Sequence, residues 1–595
     1  MMLTDVELKD EMHPHAKVYA GIEHYYINKK GMLTYQSGDN TTPLCYGSII
    51  VTAEIVARDG TEDNRLFQCE GITQKGYKLP PVIVSASELD SLTWIRKAWG
   101  SSIIVTPGTT TGKKLVTGIL LTARKAEQKT VYTHTGYITR NGVPFDYMSY
   151  RGSLLHEDYQ SDIEKNLSRY NLAGCSRDVV EQVTAINASL NILDCHEPRV
   201  TAPLFAFIYL APILPIVSSV IDESGFCLYL QGKTQSGKST LAAFACSHFG
   251  SFSSVTPPVS FNSTANYINE LAFILKDSIL WIDDYHPQGT RAEADKQNQI
   301  FQRIARSAGD NSSRGRLNSS AKLQTSHPAR CLFLVTGEDV PAISQSGSAR
   351  VFTVEVTRSR KDISKLRRDA RTGILSRAMS DYISYVISNY EPLKEAAEAL
   401  YQDIKDKQDE KFGECRLSTQ TSLLLLSSRV YLDYVVRAGA ITEDRARKIY
   451  TGLESYISDN AREHEEQIAL EDPCKMYLTA LSNLISSGRR YVIPLNGNPN
   501  REDHLSMDNT VLGWRDEKYY YLDGNVSYSA VSDYYEDEHI YFNIHRLTLQ
   551  KRLIQEGYTV PDGSKNPTIT KSIYGRNVRV LRFTRRLIDG KGGDA

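Results

Sequence analysis

Several things are scarce in this 595-residue chain, and each scarcity removes a class of protein. Cysteine is thin and scattered: nine residues, at 45, 69, 175, 195, 227, 246, 331, 415 and 474, with no C-x-x-C pair. A disulfide scaffold or a zinc ribbon clusters its cysteines, so reduced, mostly buried thiols are expected instead. Net charge is almost absent. Sixty-nine Lys and Arg stand against 70 Asp and Glu, a balance of -1, which excludes a uniformly basic nucleic-acid coat protein. The start, MMLTDVELKDEMHPH, has no apolar signal region, so a cytoplasmic protein is expected. His134, His156, His286, His327 and His545 share no metal-like spacing, so no metal other than Mg2+ is expected. Hydrophobic residues at 41% and charged residues at 23% are ordinary globular usage, which excludes a wholly disordered chain. At roughly 150 residues per domain, about four domains are expected.

Long apolar runs are also scarce. The one at Val200–Ile221 (VTAPLFAFIYLAPILPIVSSVI) has no charge and is long enough to span a bilayer. Prolines 203, 212 and 215 argue against a regular span, and Asp222 and Glu223 follow where a basic flank would sit. A buried helix packed under the next domain is the expectation, with no membrane partner.

What is present changes character along the chain. After a tail (1–18), residues 19–156 read as a β-rich domain. Runs such as CYGSIIVTAEIVARDG are punctuated by Gly, Asn and Asp, and Asn141-Gly142 suits a two-residue turn. Residues 85–99 read as helical, capped by Ser85 or Ser87. Residues 157–195 read as a helical linker. Residues 196–360 alternate apolar strands with helical patterns, the signature of an α/β sheet. Residues 361–470 read as almost wholly helical, with charges at four-residue spacing. Residues 471–595 mix helices with strands.

The chemistry concentrates in the α/β part. Gly232, Lys233, Thr234, Gln235, Ser236, Gly237, Lys238 and Ser239, with Thr240 beyond, fit G-x-x-x-x-G-K-[ST] between an apolar strand and a helix. In such a loop two glycines permit close approach of phosphates, the lysine reaches the outer phosphates, and the hydroxyl ligates Mg2+. Asp283 and Asp284 end the apolar run SILWIDD, 44 residues past Ser239. Asp283 is then the Mg2+ carboxylate, with Ser239, and Asp284 stands where a longer Glu usually polarises water. An Asp-Asp pair after a strand also makes a turn with a helix cap. Thr336 ends the strand run CLFLV and is a candidate to hold the lytic water or sense the γ-phosphate. Arg350 precedes one more strand, where an arginine can reach a neighbouring subunit's γ-phosphate. The order of these four elements is that of an AAA+ or related ring ATPase.

These stretches resemble a known family. LQGKTQSGKST, DSILWIDDYHPQGT, SAGDNSSRGRL, LFLVTGEDVPAISQSGSAR, LGWRDEKYYYLDGN and HRLTLQKRLIQEG are similar to the AAA+ helicase-like ATPases of phages, prophages and integrative elements. That domain-of-unknown-function family includes the MCM-like staphylococcal cassette helicases. HTGYITRNGVPF also looks like the end of its N-terminal domain. The resemblance implies a multidomain α/β chain: a β-rich N-terminal domain, an AAA+ P-loop core with a helical lid, and a C-terminal winged helix. It implies a ring-forming ATPase, a hexamer, using ATP and Mg2+ on single-stranded or forked DNA beside other replication proteins of the element. Lys238, Ser239, Asp283, Thr336 and Arg350 would be its ATPase residues. Arg314 and Arg316, in an Arg-rich stretch, would face DNA or the neighbouring subunit, and residues 309–328 are the candidate pore hairpin.

The C-terminal end supplies a local basic balance. Residues 541–595 hold 11 Lys or Arg against 4 Asp or Glu. A helix at HRLTLQKRLIQEG followed by two strands suits a winged helix, with Arg546, Lys551, Arg552, Arg576, Arg579 and Arg582 placed to meet phosphates. A solvated basic face has the same composition. Three functions remain at this point: an ATP-dependent DNA motor, a nucleotide-switched initiator or loader with slow hydrolysis, and a phosphotransferase acting on a small molecule. The large helical region and basic terminus favour the first two.

Overall fold

The computed structural model describes residues 13–219, 225–287, 290–310, 327–341, 343–470, 472–495, 511–538, 542, 544–560, 566 and 568–589. It is a mixed α/β, multidomain chain. Arg314 and Arg316, and most of the candidate hairpin 309–328, lie outside the described residues.

The N-terminal part is β-rich, as its alternation predicts. An eight-stranded sheet is built on Asn40–Arg58, which pairs with Leu33–Ser37 and Asp63–Thr73 antiparallel and with Glu127–Tyr132 parallel. Helices Ala86–Ser91, Thr93–Trp99 and Thr109–Thr122 accompany it, and Tyr19, Trp94, Trp99 and Leu115 share its core. Ser85 and Glu88 form a reciprocal capping box at the first helix. Asn141 and Gly142 both take positive φ and join Gly136–Arg140 to Val143–Ser149.

The linker differs from expectation. Helix Val179–Leu190, capped by Asp178, forms as read, but residues 157–178 hold no α-helix, only the short strand Gln160–Ser161 and a single turn at Lys165–Leu167. Tertiary partners take their backbone groups: Ala173 N–H donates to Ser376 Oγ (2.8 Å) and Ser176 N–H to Asp381 Oδ1 (2.7 Å).

Five parallel strands form the central sheet. Their spatial order is Val259–Ser260, Ile279–Tyr285, Leu332–Gly337, Cys227–Gln231, Val351–Glu355. Parallel strands covered on both faces are apolar throughout, and Leu228, Leu230, Leu280, Ile282, Phe333 and Val335 are buried here. The motif HTGYITRNGVPF docks onto this unit. Tyr137 N–H donates to Asp277 Oδ2 (2.9 Å) and Lys276 Nζ to Tyr137 O (2.7 Å). Only glycine fits beside them, because a Cβ on Gly136 would lie 2.6 Å from Asp277 Oδ2, at a φ of +94°.

The long apolar run is helix Pro198–Val217, of mean hydropathy 2.1 and 89% buried within the protein. The helix continues through its three prolines. Pro203 cannot donate to Arg199 O, four residues back. Asn460 Nδ2 donates to that carbonyl instead (2.7 Å). Helices Arg416–Arg437 and Glu443–Leu470 cover it, with Tyr209 stacked on Tyr431 and Ser427 Oγ donating to Ala206 O (2.7 Å). Helices Ser364–Thr372, Ile374–Ser388 and Tyr390–Phe412 complete the helical region.

Residues 473–588 have a separate core, containing Tyr477, Leu512, Val531, Leu553 and Phe583. Its sheet runs Tyr491–Pro494, Val511–Arg515, Tyr519–Leu522, Arg576–Thr584, Ile569–Ile573, beside helices Pro473–Ser486, Val526–Asp537 and Arg546–Gln555.

Asn460→Leu is expected to remove the side-chain donor that serves Arg199 O, a part-buried bond, costing about 1 kcal/mol. Thermal unfolding should therefore show a lower Tm than wild type; an unchanged Tm would refute this account of how the helix tolerates Pro203.

Candidate active site

All five core strands end at one edge of the sheet, and the phosphate loop starts there, after Gln231. Gly232 sits against the neighbouring strand's exit: its N–H donates to Gly337 O (3.0 Å), and a Cβ would lie 2.2 Å from Val356 O. Gln235 and Gly237 take positive φ, +64° and +102°, which folds the loop back toward helix Lys238–Cys246. The N–H groups of that helix's first turn, at Lys238, Ser239 and Thr240, have no acceptor within the helix. Ser236 Oγ is buried with no partner among the described residues. Unpaired donors around a tight loop at a helix N-terminus fit an anionic phosphate group.

Lys238 is buried. Its Nζ donates to Gly232 O (2.6 Å) and Lys233 O (2.9 Å), carbonyls of its own loop. Burial holds its pKa below the ordinary lysine value, partly offset by Glu338, Asp283 and Asp284.

Three oxygens gather beside it. Ser239 Oγ donates to Asp283 Oδ1 (3.0 Å), and Thr336 Oγ1 donates to the same oxygen. The adjacent strands Ile279–Tyr285 and Leu332–Gly337 bring Asp283 and Thr336 together. A hydroxyl and a carboxylate oxygen suit a hard cation such as Mg2+. Asp284 differs from its neighbour. The strand bulges between Ile282 and Tyr285, Asp284 takes φ +66°, and its side chain is exposed. Its N–H donates to Thr336 Oγ1 (3.4 Å), and its charge is among those acting on Lys238.

Glu338 was not singled out in the sequence. It accepts a hydrogen bond from Thr234 Oγ1 and lies 4.0 Å from Lys238 Nζ. The available signal was its position two residues past Thr336, in the loop leaving that strand. His286 and Asp339 form a second pair there, Nδ1 to Oδ2 at 2.7 Å.

Arg350 lies at the other edge of the sheet. Its carbonyl accepts from Cys227 N–H (3.0 Å), where the strand feeding the phosphate loop begins. Five residues of strand, about 16 Å, separate that edge from Gly232. The guanidinium donates to Ser346 Oγ (2.6 Å), and its stem packs on Gly309.

The C-terminal basic residues divide. Lys551, Arg576 and Arg579 are exposed, and Arg546 is half-buried. Arg576 and Arg579 lie on a hairpin whose tip is Tyr574-Gly575. Arg552 is half-buried and already paired, donating to Asp472 Oδ2 (2.6 Å) and Glu556 Oε1 (2.9 Å). Its guanidinium thereby lies among Asp472, Cys474 and Glu556, three side chains close enough to resemble a metal site. Arg582 Nε donates to Val560 O (2.9 Å), with the guanidinium 5.3 Å from the centre of the Tyr519 ring.

A family model described as a domain of unknown function, DUF927, matches residues 197–327. That segment holds the buried helix, the phosphate loop and the Asp283 strand. The whole chain has the fold of a solved structure titled "SCCmec type IV Cch - active helicase". Identity is 13%, coverage 96% of this chain and 99% of that one, and the TM-score 0.57. The resemblance seen in the motifs therefore extends to the architecture. Two further similarities have TM-scores too low to bear on it. An apo structure of the NrS-1 C-terminal region is 12% identical over 67% of this chain and 86% of that one, at 0.26. An inhibitor-bound JCV helicase is 16% identical over 41% and 68%, at 0.23. No curated protein matches the chain.

Glu338→Ala is expected to free Thr234 and to remove a negative charge beside Lys238. Nucleoside triphosphate should bind roughly 3- to 10-fold tighter, about 0.7–1.4 kcal/mol, in a fluorescence titration. Equal or weaker binding would show that Glu338 does not oppose the ligand.

Proposed function

We propose that this protein is an ATP-dependent DNA motor, a ring-forming replicative helicase of a phage or mobile element that hydrolyses ATP at subunit interfaces. The observation that carries this reading is the split of the candidate residues between the two edges of one parallel sheet. Lys238, Ser239, Asp283 and Thr336 converge at one edge. Arg350 sits at the other, too far to serve its own chain's phosphate loop. An arginine so placed suits a γ-phosphate bound by a neighbouring copy, and repeating such a head-to-tail contact closes a ring, here a hexamer.

In this reading residues 196–360 are an AAA+ core, 361–470 its helical lid, and 471–595 a winged-helix domain for DNA. Residues 19–156 form the N-terminal domain, joined through 157–195. The sheet order, with the phosphate-loop strand between Leu332–Gly337 and Val351–Glu355, supports the core assignment. Helix Arg546–Gln555 and the hairpin after it support the last. Lys238 would hold the outer phosphates, Ser239 and Asp283 would hold Mg2+, and Thr336 would orient water. Bound Mg2+ would neutralise phosphate charge during transfer to water. Lys551, Arg576 and Arg579 would meet DNA phosphates, while Arg546 would do so in part.

A second reading has its own support. Asp284 is short and exposed on a bulge, an arrangement suited to slow hydrolysis in a nucleotide-switched initiator or loader. ATP hydrolysis by the purified chain, with and without single-stranded DNA, separates the two. The motor predicts a DNA-stimulated rate that falls by at least about 100-fold in Lys238→Ala. ATP binding with negligible turnover, whatever the DNA, would refute the motor and favour the switch.

A further inference from the structure

Residues 358–371 (RSRKDISKLRRDAR) carry seven Lys or Arg against Asp362 and Asp369. Most of this run is helix Ser364–Thr372. It buries Leu366 and Ala370 and turns Arg367, Arg368 and Arg371 outward. Two adjoining cavities, of about 640 and 440 Å3, open along it. Arg169 and the loop 251–256 wall the larger one on its far side. Its lining contains three arginines, six serines and threonines, and no carboxylate.

Arg169 donates to Thr256 O and lies 5.9 Å from the centre of the Phe252 ring, so one wall is held in place. Among the described residues no carboxylate forms an ion pair with Arg169, Arg367, Arg368 or Arg371. Cations gathered this closely repel one another, and an anion between them relieves that repulsion. Guanidinium forks with hydroxyl donors match the oxygens of phosphate esters.

This cleft adjoins the phosphate loop at Thr240 and runs away from it. It follows the flank of helix Lys238–Cys246 from Thr240 to beyond the helix's C-terminal end at Ser251. The phosphate loop lies at the N-terminal end of that helix, whose nine residues span about 13 Å. Arg367 and Arg371 stand one turn apart, about 6 Å, and line both cavities, with Arg368 joining them in the second. Cations shared by two adjoining cavities suit several phosphates in a chain.

We propose that this cleft binds the phosphodiester backbone of a single nucleic-acid strand, on the nucleotide-binding unit itself and apart from the C-terminal basic domain. The inference rests on the reading that the protein works on DNA.

The test uses the full chain, a fluorescent single-stranded oligonucleotide and a salt series. The variants are Arg367→Glu/Arg371→Glu and, on the opposite wall, Ser254→Glu. An ATP analogue and tripolyphosphate are titrated in parallel. The double variant should bind the strand at least about 10-fold more weakly, and its slope of log K against log salt should be shallower by about 1.4, two contacts at about 0.7 each. Ser254→Glu should weaken the strand in the same direction, and the ATP analogue should bind all three proteins alike. Wild type that binds the strand, with both variants unimpaired, would overturn the cleft alone. A loss confined to the ATP analogue or tripolyphosphate would assign the cleft to a free polyphosphate and overturn the strand. Wild type that binds no strand at all would overturn both this inference and the DNA reading.

Discussion

The structure depends on covering helix Pro198–Val217. A helix apolar on every side must be covered on every side, or water meets it somewhere. The sheet covers one face, and Arg416–Arg437 with Glu443–Leu470 cover another. Covering it therefore ties the central sheet to the helical region in one continuous core, from Tyr132 to Ala461. The chain's backbone chemistry adapts to that demand, with Asn460 supplying the donor that Pro203 lacks.

With the helix covered, the sheet has a fixed floor, and the site follows from strand direction. Parallel strands deliver their last residues to one edge. Asp283 and Thr336, 53 positions apart, meet because their strands are neighbours. The same geometry sends Arg350 to the opposite edge, since it precedes its strand rather than following it. Low dielectric around Lys238 then raises the worth of any charge nearby. Glu338, the carboxylate with the largest effect on that lysine, lies at the same edge as the aspartates.

Much of this was legible because it is local. The phosphate loop is a contiguous string whose glycines and flanking elements all lie within about a dozen residues. The Ser85 cap, the Asn141-Gly142 turn and the C-terminal hairpin are likewise short-range. The misses share one cause. Residues 168–178 lost their helix to hydrogen bonds with Ser376 and Asp381, some 200 positions away. Arg552 looked available for phosphate, yet Asp472, 80 positions earlier, holds it. Glu338 was not singled out, because Thr234, 104 positions earlier, meets it only in the fold.

The sequence by itself determined most element types, the glycine-rich loop between strand and helix and the identity of the apolar helix, because periodicity and turn chemistry act over a few residues. The tertiary structure alone decided which polar groups face one another. It turned Asp284 outward on a bulge, put Arg350 an entire strand away from Lys238, and set Arg169 across a cleft from Arg367 and Arg371. Hydrogen bonds and ion pairs operate over a few ångströms in space, and only folding brings residues tens or hundreds of positions apart within that reach.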